Sequence, residues 1–275
     1  MAGALSQHDF EEIAIRCSGM LAPSIYQRIY EIARDASGDL IVEVGTAKGA
    51  ATVALALGLR AAGKSGRVIS FDRGRERSGR GNPAAYAEAV RRNLRHFGVE
   101  DLVELVVGEI KKTAGAVPAS AEISVLMLDA DGAIDRDLGL FFSRVAPGGP
   151  IIIDDCADLV RLERVGLRTT RIDAKMRLTY LLLSYFKENH VLSEGTQIKD
   201  TYFGEKLRGF PGDHLDLNDI LEIYRQLVFT SAKTSAWATA RLLAIRLLKR
   251  INPTLTQRLR VHGRRHVSAH PRRPG

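Results

Sequence analysis

The sequence predicts an α/β fold in which a mostly parallel sheet is covered by helices on both faces, and three observations predict it. Strand-like segments recur at residues 40–42, 67–71, 124–128 and 151–153, and the first, Leu40-Ile41-Val42, is an apolar run without polar alternation, the pattern of a strand buried on both sides. Helical stretches separate them, which is the rhythm of βαβ units. The runs also end in acids, namely Glu43, Asp72, Asp129 and the pair Asp154-Asp155. Parallel strands gather such ends on one edge of a sheet, the edge where ligands bind.

The first element is the segment 9–35, read as helical, with Ile13, Ile15, Tyr26, Ile29, Tyr30 and Ile32 as apolar positions and Pro23 at a helix start. Such a segment can cover a sheet edge or lid a ligand. Leu40, Ile41 and Val42 form the first strand, Gly45 and Gly49 bracket a tight turn, and Ala50 to Leu59 is a helix. This turn places backbone N–H groups and a helix N-terminus above the strand, an arrangement that receives ligands closely. It has neither the GxGxxG of dinucleotide folds nor the GK[ST] ending of a phosphate loop, so Lys48 is not a phosphate-loop lysine.

RVISFD, residues 67–72, is the second strand, and Asp72 at its end suits hydrogen bonds from ribose hydroxyls. Residues 73–83 form a charged, glycine-rich loop, Ala84 to Phe97 a helix, and DLVELVVGE the third strand. A strand over Ser124–Leu128 ends at Asp129, a helix runs from Ile134 to Val145, and Pro147-Gly148-Gly149 turns the chain into strand five, Ile151–Ile153. Asp129, Asp154 and Asp155 then converge on one edge, and three hard oxygen ligands describe a Mg²⁺-type site.

Residues 157–188 read as two helices, DLVRLERVGL and AKMRLTYLLLSYFKEN, followed by two strands around Gly195 and Asp200. Residues 208–220 are a loop leading into a helical segment that extends to 251. Its stretch RLLAIRLLKRI sets an apolar stripe against Arg241, Arg246, Lys249 and Arg250, a pattern that serves intramolecular packing, a homodimer or an anionic membrane surface. The tail from Asn252 is basic, lacks an apolar period and is expected to be disordered.

Composition bounds the function. The 275 residues are 45% hydrophobic, ample for a core, and no apolar run reaches 18 residues. The acids near the N-terminus argue against a secretory signal, which leaves the cytoplasm as the expected location, with or without membrane-surface association. Cys17 and Cys156 suggest neither a disulfide framework nor a thiolate metal site. The net charge of +8 is a C-terminal property: twelve Lys and Arg and no acid follow Glu222, so residues 1–222 carry about −4.

The glycine-spaced stretch after Glu43 resembles motif I of the class I S-adenosylmethionine-dependent methyltransferases. LDAD at 128–131, followed by PGG, an apolar triplet and a polar pair, resembles their divalent-metal-dependent O-methyltransferases, the catechol and caffeoyl-CoA type with bacterial relatives acting on sugars and antibiotics. The resemblance covers about residues 25–207 and implies a Rossmann-like, mostly parallel seven-stranded sheet with a C-terminal helical extension. It divides the chain into an N-terminal helical cap (1–36), a methyltransferase domain (37–207), a helical extension (208–251) and a basic tail (252–275).

The resemblance implies S-adenosylmethionine as cofactor, bound by Glu43, Gly45, Thr46, Gly49, Asp72, Gly108, Glu109 and Asp129. It implies Mg²⁺ on Asp129, Asp154 and Asp155, and a small-molecule hydroxyl as acceptor. The residue three after the first Asp is typically a Lys or His acting as general base, and here it is Gly132. Asp131, His190 and His214 are alternative proton acceptors, as is a metal-bound hydroxyl. Two other functions stay open: a nucleic-acid methyltransferase gripping phosphate with the basic C-terminus, and a non-catalytic cofactor-binding or membrane-surface protein.

Overall fold

Successive side chains of a strand point to opposite faces of the sheet, so unbroken apolar runs require cover on both sides. In the computed structural model, which describes residues 5–74, 82–164, 170–207 and 217–229 with Ala244 and Leu247, helices α1 (Gln7–Arg16) and α2 (Pro23–Asp35) precede strand β1 (Leu40–Val44). There follow α3 (Ala50–Ala61), β2 (Arg67–Asp72), α4 (Pro83–His96), β3 (Val103–Val107), α5 (Ile110–Thr113), β4 (Val125–Leu128), α6 (Ile134–Phe141) and β5 (Pro150–Ile153). The chain continues through β6 (Arg161–Arg164), β7 (Thr170–Asp173), α7 (Lys175–Glu188), β8 (Thr196–Ile198), β9 (Thr201–Glu205) and α8 (Leu217–Phe229).

The seven-stranded sheet has the order β3-β2-β1-β4-β5-β9-β8, with β1 to β5 parallel and β8 and β9 antiparallel. Ile41, Val68, Val125 and Met127 face α1, α2, α3 and α4, while Val42, Val44, Ile69, Leu126 and Leu128 face α5 to α8. Adjacent residues of a strand thus enter different cores, which is why these strands carry no polar alternation. The strand order reverses between β1 and β4, which opens a crevice at their carboxyl ends.

Two expectations change. The helix expected over DLVRLERVGL is instead strand β6, paired antiparallel with β7 from Arg161↔Asp173 to Arg164↔Thr170. Leu159 and Leu162 fit a helical spacing, yet Val160 and Leu162, and the β-branched Thr170 and Ile172, fit the alternation of paired strands equally well, and pairing decided. The helical N-terminal segment is two helices. It breaks at Ser18, whose φ of 49° is left-handed, and restarts with Pro23 in the first turn of α2. The second helix packs on α3 across Gly58, where a Cβ would lie 2.5 Å from the Tyr30 carbonyl and 2.7 Å from the Ala33 Cβ. The tail from Asn252, and the Arg and Lys residues assigned to a basic helix face, lie outside the described residues.

Gly45 leaves β1 with a φ of 108°, and a Cβ there would run into the carbonyl of Asp129. Gly45→Ala is therefore expected to cost about 3 kcal/mol or more, from backbone strain plus displacement of β4, read as a lower urea midpoint with an unchanged m-value.

Candidate active site

The crevice is lined by strand ends in register. Gly45 N–H donates to the Phe71 carbonyl, Asp129 N–H to Val44, Asp154 N–H to Leu128 and Gly108 N–H to Asp72. The expected residues therefore sit side by side along one edge: Gly108, Asp72, Gly45, Asp129 and Asp154.

On the β1/β2 side, Glu43 is fully buried against α3, and its Oε2 accepts hydrogen bonds from Thr52 Oγ1 at 2.6 Å and from Ser70 Oγ. Burial pushes its carboxyl up to about 7, against the pull of these two bonds, and Oε1 is buried without a partner. Thr46 is also buried, its Oγ1 lying 2.5 Å from Ser70 Oγ. Gly49 adopts a left-handed φ of 86° as the N-cap of α3. Asp72 is tied into the loops, with Oδ2 accepting from Ala47 N–H at 3.0 Å and Oδ1 from Gly74 N–H at 2.8 Å. Sequence reasoning missed Tyr86 of α4. Burial and the nearby Asp72 charge raise the pKa of its hydroxyl. Gly108 has a φ of 157°, and Glu109 caps α5 and pairs with Lys112 at 3.0 Å.

On the β4/β5 side, one oxygen from each of Asp129, Asp154 and Asp155 lies within 4.8 Å of the others, a spacing that suits a metal ion. Asp155 holds a left-handed φ of 61°, a region that Asp enters more readily than most L residues, at a cost of about 1 kcal/mol. Asp154 is 7% exposed and accepts a 2.6 Å bond from Thr201 Oγ1 at the start of β9. Burial, followed by the Asp129 and Asp155 charges, pushes its carboxyl up to about 8.

A residue the sequence reading did not select completes this cluster. Lys175, the first residue of α7, places Nζ 2.9 Å from Asp129 Oδ1 and 2.7 Å from Asp155 Oδ2, and its side chain is 9% exposed. Burial opposes its charge, but the two carboxylates outweigh burial and push its pKa up. A divalent ion on this trio would polarise an acceptor hydroxyl, but the Lys175 ammonium already pairs with two of the three carboxylates. The residues present therefore do not fit a metal ion while Lys175 keeps this position. One signal for Lys175 was in the sequence: a lysine opening a helix with no acid in its first turn opposes the helix dipole unless a carboxylate lies nearby.

The alternative bases fare differently. Asp131 bonds Arg73 at 2.6 Å and Arg136 at 2.9 Å; burial raises its pKa, but the guanidiniums outweigh this and hold it below the usual range, which makes it a poor proton acceptor. His190 follows the far end of α7, about 20 Å along the helix from Lys175. His214 lies outside the described residues.

A seven-stranded sheet of this order, with a glycine turn after β1 and acids at the ends of β2, β4 and β5, is the class I S-adenosylmethionine-dependent methyltransferase fold. Residues 42–156 match the family model described as a methyltransferase domain. Among solved structures, the cofactor-bound Rv0187 from MTB is 20% identical, with a TM-score of 0.54 over 76% of this chain and 92% of that one. The O-methyltransferase from Bacillus cereus in complex with SAH is 16% identical, with a TM-score of 0.54 over 76% and 93%. The O-methyltransferase TomG from Streptomyces achromogenes, involved in tomaymycin synthesis and solved with SAM, is 18% identical, with a TM-score of 0.52 over 76% and 92%. No curated protein matches the sequence. At these identities the likeness is one of fold, and this fold resembles the divalent-metal O-methyltransferases. Among the described residues no helix is long and apolar enough to cross a membrane.

Proposed function

We propose that this chain is an S-adenosylmethionine-dependent methyltransferase acting on a hydroxyl of a small molecule such as a sugar or secondary metabolite. The observation that carries this reading is the placement of Glu43, Gly45 and Asp72 beside the trio Asp129, Asp154 and Asp155, on neighbouring strand ends across the topological switch. Gly45 and Gly49 leave the main chain bare for the methionine moiety, with Thr46 in the same turn. Asp72 accepts hydrogen bonds from the ribose hydroxyls, and the unpartnered Oε1 of Glu43 suits the ammonium as a donor. Gly108 and Glu109 line the adenine end.

The acceptor oxygen, held next to the β4/β5 acids, attacks the methyl carbon in line with the sulfur. As the O–C bond forms the C–S bond breaks, and its electron pair stays on sulfur to give a neutral thioether. The hydroxyl proton leaves to solvent, which reaches Asp155 at 21% exposure. Holding donor and acceptor in this alignment supplies much of the rate.

Calorimetric titration of S-adenosylhomocysteine into the full chain tests the donor site. Micromolar binding is expected, weakened roughly 10- to 100-fold in Asp72→Ala, which loses carboxylate-assisted bonds to the ribose. Absence of binding by the folded wild-type protein would overturn the proposal.

A further inference from the structure

We infer that the resident cation of this site is the Lys175 ammonium, and that Asp129, Asp154 and Asp155 work without a divalent metal ion. The catalytic meaning of this inference rests on the methyltransferase reading, but its geometry does not.

Nζ of Lys175 lies within hydrogen-bond distance of carboxylates that end two different strands, 2.9 Å from Asp129 and 2.7 Å from Asp155. An ammonium already seated between Asp129 and Asp155 takes up negative charge a metal ion would need, and the two positive charges repel at that distance. Two of the three ammonium donors are thereby committed to the acids.

Gly132 shows that the lysine's place is built into the backbone. Its φ is 88°, and a Cβ there would lie 2.8 Å from the Lys175 carbonyl, 3.1 Å from Lys175 Cγ and 3.2 Å from Thr179 Oγ1. No side chain fits at 132 while α7 keeps its position. The resemblance puts a lysine or histidine at 132; this chain leaves that position bare and brings a lysine to the acids from α7.

Lys175 is also anchored at its backbone, where its N–H donates to Asp173 Oδ1 at 3.2 Å, and Thr179 Oγ1 donates to its carbonyl at 3.0 Å. The start of α7 is an unfavourable place for a cation, because the exposed helical N–H groups carry positive charge there, and no acid stands in the first turn. The strand-end carboxylates offset that repulsion. Lys175 and the acids are thus matched to each other.

The test is a Mn²⁺ titration followed by electron paramagnetic resonance, on full-length protein freed of metal by chelator. Wild type is expected to take up no more Mn²⁺ than Asp154→Asn does. Lys175→Met, with the ammonium removed and the carboxylates kept, is expected to bind one Mn²⁺ per chain about 100-fold more tightly than wild type, a gain lost in Lys175→Met/Asp154→Asn. One Mn²⁺ bound by wild type and lost in Asp154→Asn would overturn the inference, and this titration decides even if the Met variant fails to fold. A folded Lys175→Met that gains no Mn²⁺ would overturn it as well. Calorimetry of S-adenosylhomocysteine on the same metal-free wild type keeps the two readings apart, because failure there removes the methyltransferase reading and leaves the Mn²⁺ result standing.

Discussion

Lys175→Met is expected to lower the unfolding free energy by about 3–5 kcal/mol at neutral pH, because it leaves Asp129 and Asp155 facing each other around an apolar side chain. The effect is large because the lysine is 9% exposed, so water cannot take over the ammonium's role. Met keeps the length and volume of the stem, which confines the loss to charge. The loss should shrink as acid neutralises the carboxylates, and Mn²⁺ should restore part of it by binding the folded state alone. Urea denaturation at pH 7 and pH 4, with and without Mn²⁺, checks all three outcomes. A variant as stable as wild type at pH 7 would mean that the ion pair contributes nothing there.

Glu43→Gln is expected to act in the opposite direction. The folded-state pKa of Glu43 is raised by burial to about 7, from an ordinary 4.5. A raised carboxyl holds a proton in the folded chain that the unfolded chain releases, so its contribution is fully present below pH about 4.5 and is lost as pH rises through about 7. The shift amounts to about 3 kcal/mol. Gln carries no titrating proton, so the variant should match wild type near pH 4 and exceed its stability at pH 8 by up to about 3 kcal/mol. It should also bind S-adenosylhomocysteine less tightly, since it cannot offer a charge to the ammonium. Stability curves at the two pH values, beside calorimetry, read both effects; parallel curves would show that Glu43 is ionised in the folded chain. Ionised Glu43 thus works against folding, as groups placed for a ligand commonly do.

Most of the sheet was legible before folding because each strand is a local event. LIVEV, RVISFD, VLML and PIII are runs whose hydrophobicity alone requires burial on two faces, and the acids that end them must share an edge once the strands run parallel. The glycine turn at 45–49 was equally local, since left-handed backbone and close approach leave glycine little competition. The segment 161–164 was not legible, because the apolar residues around it satisfy both periods and only pairing with residues 170–173 chooses between them.

The sequence by itself determined which acids meet at the crevice. Only the tertiary structure decided what neutralises them. Lys175 lies 46 residues from Asp129, on a helix whose apolar face fixes its contact with the sheet but says nothing of where its first side chain ends. The bare Gly132 read as a missing base, and became a vacated space only once α7 was packed over it. Charge balance in a buried site is a sum over elements that the chain brings together late, so no single stretch of sequence carries it.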